Sequence, residues 1–399
     1  MSAKLSVRHI NGHFQSLGGV QLVLQHHLQE DAGVGLNSSF IISGESPTTH
    51  VSPKVEYLGL TNWSMPWQAR QRMRRATKGH PCDIAIHHSA WEMPTLVDLD
   101  LAGRRIWMIH SNYPGIDHHL RTRPPTTDGI IVVSEQLRQM ATKACPAFEQ
   151  EMRILSVTYP IIPPFAHPPS RQPDPERPFR VGYCGRVEVQ QKRVDRIPNY
   201  LKKLVESGVR IEFEVLGDGH DLTFLREQIG SFSQVTFHGR KANKEYWEIL
   251  SKWDAIIFFS DVEGTPIALL EAMITGAIPI FPSIGCGGDP LTAQVASELL
   301  YPAGDIGSAV EITKRLSLLS PLDRERLQKR AAENVASLLG NEYFNQIANF
   351  ARQIYSMPKR SNATCLRRNP CTDVIPFEVQ RILGTVRQRL SSSNSICSD

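Results

Sequence analysis

The chain has 399 residues, with 44 Lys and Arg against 40 Asp and Glu and a formal net charge of +4. That balance does not announce a nucleic-acid binder, because no strongly basic domain, the usual electrostatic footprint, stands out, and no nucleic-acid partner is expected. The length favours two domains over one, and an apolar content of 41% supplies sizeable cores.

The opening MSAKLSVRHING is polar and runs straight into a strand pattern, without the features of a secretory leader. Short apolar runs then recur as expected strands: KLSVRHI (4–10), SSFIIS (38–43), CDIAIHH (82–88), RRIWMIH (104–110) and DGIIVVS (128–134). Between and after them, GVQLVLQHHLQE (19–30), PWQARQRMRRATK (66–78) and EQLRQMATKA (135–144) read as helices. Such alternation predicts a parallel sheet covered by helices on both faces.

YPIIPPFAHPPSRQPDPERP (159–178) breaks the pattern, because its prolines suit neither helix nor central strand. It reads as a semi-rigid linker over 161–178. A second alternating set follows, with strands FRVGYCG (179–185), IEFEVLG (211–217), QVTFHG (234–239), DAIIFFS (254–260) and IPIFP (278–282). The expected organisation is therefore a Rossmann-like unit over 1–160, the linker, a second Rossmann-like unit over 179–358, and a partly disordered tail over 359–399. Within the tail, 374–390 has an amphipathic helical pattern. A cleft between two such units is the natural ligand site.

The seven cysteines are odd in number and lack the paired spacing of a zinc site. They read as reduced thiols of a cytoplasmic protein. No run of about 18 apolar residues appears, so no spanning segment is expected. One stretch points to a membrane surface instead. NWSMPWQARQRMRRATKGH (62–80) carries Arg70, Arg72, Arg74, Arg75 and Lys78 beside Trp63 and Trp67, with no acid. Basic residues with interfacial aromatics suit anionic headgroups, so peripheral contact through 63–78 at the inner face of the membrane is expected. A solvated helix face is the alternative.

EGTPIALLEAM (263–273) poses a sharper question, since Glu271 sits inside a helix that otherwise looks buried. Thr265 is a good N-cap and Pro266 a good first residue, so the helix is expected over 266–275. A helix start is an anion site. Glu263 and Glu271 could then flank a diphosphate, one acid on a sugar hydroxyl and the other on a ribose hydroxyl. Two solvated acids are the alternative. Asp261-Val-Glu263 also has the form of a metal motif, but the positive end of a helix is a poor place for a cation. Upstream, YCGRVEVQQKRVD (183–195) places Arg186 and Lys192 in a loop at a strand end, where both suit diphosphate.

In combination these segments resemble the family-4 retaining glycosyltransferases of GT-B fold, over most of 10–310. The resemblance rests on Gly-Arg followed by Gln-Lys and a helix, then Glu, seven residues and Glu. GHFQSLGGVQLVLQHHLQE resembles the family's glycine loop and first helix, RRIWMIHSN its strand ending in His, and DGIIVVSEQLR a later strand and helix. FHGR and YPAGD match further stations. The resemblance implies that Arg186 and Lys192 bind the donor diphosphate, that Glu263 contacts the transferred sugar and that Glu271 contacts the ribose. It places Gly18 and Gly19 beside the diphosphate, His110 at the sugar site, and the loops after Leu216 and Gly239 near the base. His87 and His88 end another strand at the same edge. Catalytic weight falls on Glu263 and His110. Arg186, Lys192, Glu271, Gly18, Gly19 and Thr265 form the donor-binding set.

The implied reaction transfers a sugar from a nucleotide-diphosphate sugar to a glycan or lipid-linked acceptor, with retained configuration. The implied setting is polysaccharide, lipopolysaccharide or glycolipid assembly. No metal or other cofactor is expected, because the cations and the helix end can stabilise the leaving diphosphate. A nucleotide-sugar epimerase and a non-catalytic nucleotide-sugar-binding protein are the alternatives. A dehydrogenase is disfavoured, since the first turn lacks a full G-x-G-x-x-G. The segment SIGCGGDPLTAQ departs from the family's usual glycine pair followed by Glu, which leaves the role of 284–289 open.

Overall fold

The computed structural model of the chain describes residues 4–15, 18–46, 52–77, 80–88, 99, 101–113, 115–122, 127–164, 177–230, 232–360 and 374–380. The first sheet contains β1 (Leu5–Asn11), β2 (Leu36–Ile42), β3 (Val55–Tyr57), β4 (Cys82–His87), β5 (Ala102–Ile109), β6 (Gly129–Val132) and β7 (Ile154–Ser156). Its order is β3-β2-β1-β4-β5-β6-β7, and every pairing is parallel. The second sheet contains β8 (Phe179–Cys184), β9 (Ile211–Leu216), β10 (Val235–Gly239), β11 (Ala255–Ile257), β12 (Ile278–Ser283) and β13 (Leu300–Pro302). It is also parallel throughout, in the order β10-β9-β8-β11-β12-β13. The chain is thus α/β with two Rossmann-like units, as expected.

Both sheets reverse their winding at one place, between β1 and β4 in the first and between β8 and β11 in the second. Ligands of open parallel sheets bind beyond the strand ends at such reversals. The central strands are apolar on both faces because helices cover both. Ile84, Ile106 and Ile130 are buried in the first sheet, and Val181, Phe213 and Ile256 in the second. Close packing fixes Gly182, where an added Cβ would lie 2.0 Å from the Trp253 ring.

Of the proline-rich segment 159–178, residues 159–164 and 177–178 are described. Ile161 makes a parallel bridge to Leu339, and Arg177 donates to both oxygens of Asp254 at 2.7 and 2.8 Å. The helix Glu342–Ser356 returns to the first sheet and packs on β4 and β5. Arg104 Nη2 donates to the Met357 carbonyl at 2.6 Å beside it.

The membrane-facing expectation changes in detail. The helix Pro66–Ala76 turns Arg70 inward, at 5% exposure, and Arg72 donates to the Leu58 and Gly59 carbonyls. Trp63, Trp67, Arg74 and Arg75 are exposed, while Lys78 lies outside the described residues. Of the tail, 374–380 packs beside this helix, with Phe377 N donating to Ser64 O and Glu378 N to Asn62 O. The rest of the 374–390 expectation lies outside the described residues. Among the described residues, no helix is long and apolar enough to cross a membrane.

Candidate functional site

The loop leaving β8 begins at Gly185, against which the loop after β9 packs so closely that a Cβ on Gly217 would lie 1.9 Å from the Gly185 carbonyl oxygen. Arg186 is held in this loop by Glu188 and Gln191, each at 2.9 Å, and its side chain is 42% exposed at the cleft edge. Gln191 also ties the loop to the strand-end segment after β11. Its Nε2 donates to Val262 O at 3.0 Å, and its carbonyl accepts from Asp261 N at 3.2 Å.

That crosslink brings the two charged stations together. Lys192 Nζ donates to Glu263 Oε1 at 2.6 Å, and Ser260 Oγ donates to the same oxygen at 2.6 Å. Glu263 is buried at 5% exposure. Asp261 instead faces Arg193 and Arg196, at 2.6 and 2.7 Å. The carboxylates of Asp261-Val-Glu263 thus meet different cations, two for Asp261 and one for Glu263.

The helix after this turn covers Ile267–Ile274, with Pro266 as its cap residue. Thr265 is not the N-cap that the sequence suggested. Its hydroxyl donates to the Val133 carbonyl of the first unit at 2.6 Å. Pro266 is extended, with ψ 120°, and takes the cap position, while a buried carbonyl just past β6 needs a donor. The two units meet tightly here. An added Cβ on Gly264 would lie 1.9 Å from the His110 carbonyl oxygen, and one on Gly19 would lie 3.2 Å from Ile267 Cδ1. Gly18 caps the helix Gly19–Glu30 in extended geometry, so the glycine loop sits against the start of the acid-bearing helix. Its neighbours 16 and 17 lie outside the described residues.

Glu271 answers the puzzle of the buried acid. It is 6% exposed among Leu269, Leu270, Ala272 and Met273, and Tyr246 donates to its Oε2 at 2.5 Å. Burial raises its pKa to about 7, partly offset by the tyrosine hydroxyl. Among the described residues no cation pairs with it, and a neutral hydroxyl serves where a charge would otherwise be needed.

His110 follows β5 at the facing edge. Both ring nitrogens are engaged, Nε2 with His88 Nδ1 at 2.9 Å and Nδ1 with the Tyr159 hydroxyl at 2.5 Å. Burial, then the neighbouring His27, lowers its pKa to about 3. His110 therefore presents its ring and its backbone to the cleft rather than a free nitrogen. His88 lies in the same line of groups, and His87 is buried at the end of β4. Arg186, Lys192, Glu263, Thr265 and Glu271 thus gather on the second unit, with Gly19 and His110 brought to them across the cleft. Sequence reasoning missed Tyr246, Ser260, Gln191 and Tyr159. Tyr246 lies in NKEYWEILSK, where an aromatic on an amphipathic helix reads as core, so no signal marks it.

The segment left open, 284–289, closes on itself. Asp289 accepts from the backbone N–H groups of Ile284, Gly285 and Cys286, each at 3.1 Å, and from Ser283 Oγ at 3.1 Å. Its own carboxylate fills this nest of donors. Cys286 is buried beside it, and burial pushes its thiol pKa up.

Residues 178–317 match the family model described as Glycosyl transferases group 1. A stretch of 157 residues is 31% identical to WcaL of Escherichia coli (strain K12), named for a colanic acid biosynthesis glycosyltransferase. That match covers 36% of this chain and 38% of WcaL, so it spans well under half of the relative. Among solved structures, the apo form of the lipopolysaccharide outer core galactosyltransferase WaaB aligns with a TM-score of 0.63 at 15% identity, over 88% of this chain and 99% of that one. HepE of Anabaena, solved with UDP and glucose, aligns with a TM-score of 0.69 at 14% identity, over 88% and 100%. At such identities the structural likeness shows a shared fold.

Proposed function

We propose, for a chain whose residues 178–317 belong to the glycosyl transferases group 1 and whose fold is GT-B, that it moves a sugar from a nucleotide-diphosphate sugar to a glycan or lipid-linked acceptor. The transfer is a retaining, hexosyl-type step in polysaccharide, lipopolysaccharide or glycolipid assembly. The observation that carries this reading is the gathering of Lys192, Glu263 and Arg186 at the reversal point of the second sheet, with Glu271 buried in the adjoining helix.

Each group has a chemical task in this reading. Lys192 gives one of its three N–H donors to Glu263, which leaves two for a diphosphate. Arg186 offers its exposed fork to the same charge. Glu263 would accept from a hydroxyl of the transferred sugar, and Glu271 from the ribose. The cations and the start of the helix Ile267–Ile274 stabilise the charge that develops as diphosphate leaves. A leaving phosphate oxygen takes the acceptor proton on the same face. With positive charge supplied in this way, the reaction requires no metal. Acceptor choice belongs to the first unit, whose exposed Trp63, Trp67, Arg74 and Arg75 would touch an anionic membrane surface.

The test is donor binding and slow hydrolysis across UDP-, GDP- and ADP-sugars without added metal, comparing wild type with Glu271→Ala and Lys192→Ala. One donor that binds, turns over and loses both with either substitution supports the reading. Release of an isomerised free sugar favours an epimerase. Binding without any turnover favours a binding protein.

A further inference from the structure

His110 ends a longer line of buried groups. Beyond His88, whose Nε2 meets His9 Nδ1 at 2.9 Å, His9 Nε2 meets Asp31 Oδ2 at 3.1 Å. Asp31 Oδ1 meets His27 Nδ1 at 2.8 Å, and Ser38 Oγ donates to Asp31 Oδ2 at 2.5 Å. His27 Nε2 meets the Tyr343 hydroxyl at 3.2 Å. The rings are held by stacking. His9 lies on Phe40 with centroids 4.9 Å apart, and His88 lies on His110 at 5.1 Å. His9 and His27 are fully buried, and Asp31 is 2% exposed. The line runs beneath the point where the first sheet reverses, between β1 and β4.

A neutral imidazole donates from one nitrogen and accepts at the other, so the direction of one link sets the next. An ionised Asp31 only accepts. His9 must then donate from Nε2, which leaves a lone pair on Nδ1. His88 donates into it from Nε2 and accepts at Nδ1 from His110 Nε2–H. His110 Nδ1 is left as an acceptor for the Tyr159 hydroxyl. We propose that Asp31 is a positioning residue that acts through His9 and His88 to fix His110 as the neutral tautomer protonated on Nε2.

The surroundings agree with this assignment. Burial holds His88 well below the ordinary range, with the neighbouring histidines adding to it. Burial and His27 also lower His9, against the pull of Asp31. Burial would raise Asp31, but the two imidazoles beside it outweigh that and keep it below the usual carboxylate range. Burial raises Tyr159, so its hydroxyl keeps the proton it donates. The arm from Asp31 to His110 is the same whether or not His27 holds a second proton, because His27 Nδ1 donates to Asp31 in both states.

A divalent cation is the competing occupant, since His9, His27 and Asp31 offer three convergent ligand atoms. It would take the lone pair of His9 Nε2 and reverse the whole arm, leaving His9, His88 and His110 protonated on Nδ1. The three hydrogen bonds to Asp31 favour the proton arrangement. The consequence for turnover rests on the glycosyl-transfer reading, whereas the tautomer does not.

Long-range proton–nitrogen spectra of the full chain, labelled with 15N-histidine at pH 7, read this directly. The expected result is Nε2–H at His9, His88 and His110, unchanged by chelator or zinc ion. Nδ1–H at these three, an imidazolium at any of them, or a response to zinc overturns the proposal. His88→Gln offers an amide that accepts from His110 and donates to His9, and so keeps the His110 tautomer. His88→Met offers neither and leaves His110 as a mixture. Donor hydrolysis is expected to lose about tenfold in kcat in the Met variant, with KM unchanged, and to stay within about twofold of wild type in the Gln variant. Nε2–H persisting alone at His110 in the Met variant would show that Asp31 does not set it. If the Met variant fails to fold, the wild-type tautomers still decide. If wild type hydrolyses no donor, the functional reading fails while the tautomer result stands.

Discussion

Lys192 and Glu263 form an ion pair of 2.6 Å at the edge of the second sheet, with side-chain exposures of 14% and 6%. Lys192 leaves a loop after β8 and Glu263 a turn after β11, so the pair joins the two strands at which the sheet reverses. Removing one partner of so buried a pair leaves an uncompensated charge, which costs about 3 kcal/mol. Lys192→Met should therefore lose about that much stability in urea denaturation, and Lys192→Met with Glu263→Gln should recover most of it. Donor turnover should fall by at least ~100-fold in the single and double variants alike, because the charge proposed to meet the diphosphate is absent from both. Recovery of turnover in the double variant would show that the pair serves structure alone.

Glu271 carries a pH signature. Burial raises its carboxyl from an ordinary value of 4.5 to about 7, against the opposing effect of the Tyr246 hydroxyl. Between those values the folded chain holds a proton that the unfolded chain has lost. Its contribution is therefore fully present below about pH 4.5 and declines as pH rises to about 7, by roughly 3 kcal/mol in all. Glu271→Gln removes this titration while keeping an acceptor for Tyr246. Urea denaturation at pH 5 and pH 8 should show the wild type losing stability relative to the Gln variant as pH rises. A constant difference between the two proteins would contradict the assignment.

The sheets were legible because a strand covered on both faces is apolar throughout, as in DGIIVVS and DAIIFFS. β3, β7 and β13 were not, since each has three residues and none lies in an unbroken apolar run as long as AIIFF (255–259) around β11. The charged residues of the cleft were legible through their order and spacing, which follow one loop and one helix. Their partners were not, because Tyr246 and Tyr159 reach the site from separate elements that only the fold brings together. Thr265 shows the limit most clearly. Local preference makes it a helix cap, yet the Val133 carbonyl, 132 residues away, claims its hydroxyl. Likewise His9, His27 and Asp31 carry no motif, and their connection to His110 exists only in three dimensions.

Gly264 tests whether close approach of the two units matters to turnover. An added Cβ would sit 1.9 Å from the backbone oxygen of His110, which no side-chain rotation relieves. Gly264→Ala should push the turn away from the first unit without touching Lys192 or Glu271. The expected result is a fall in donor turnover of at least about tenfold, since misplacement of a site group by an ångström is costly. Nucleotide-diphosphate affinity by calorimetry should change by less than about threefold, because that ligand would be held by the second unit. Equal losses in affinity and turnover would place the damage in the second unit itself.

The exposed surface around the helix Pro66–Ala76 makes the last prediction. With Arg70 turned inward and Arg72 bound to carbonyls, the outward groups are Trp63, Trp67, Arg74 and Arg75. Two indoles and two guanidinium groups suit shallow contact with anionic lipid, the indoles at headgroup depth and the cations against the surface potential. The chain should float with vesicles containing phosphatidylglycerol at low ionic strength. It should detach near 1 M salt, where the Debye length is about 3 Å. Trp63→Ala with Trp67→Ala should weaken flotation even at low salt, and Arg74→Gln with Arg75→Gln should remove most of its salt dependence. Hydrolysis of a soluble donor should be unchanged in both variants, since neither touches the cleft. Flotation that is equal on neutral and anionic vesicles, or absent on both, would rule out this surface as an electrostatic membrane contact.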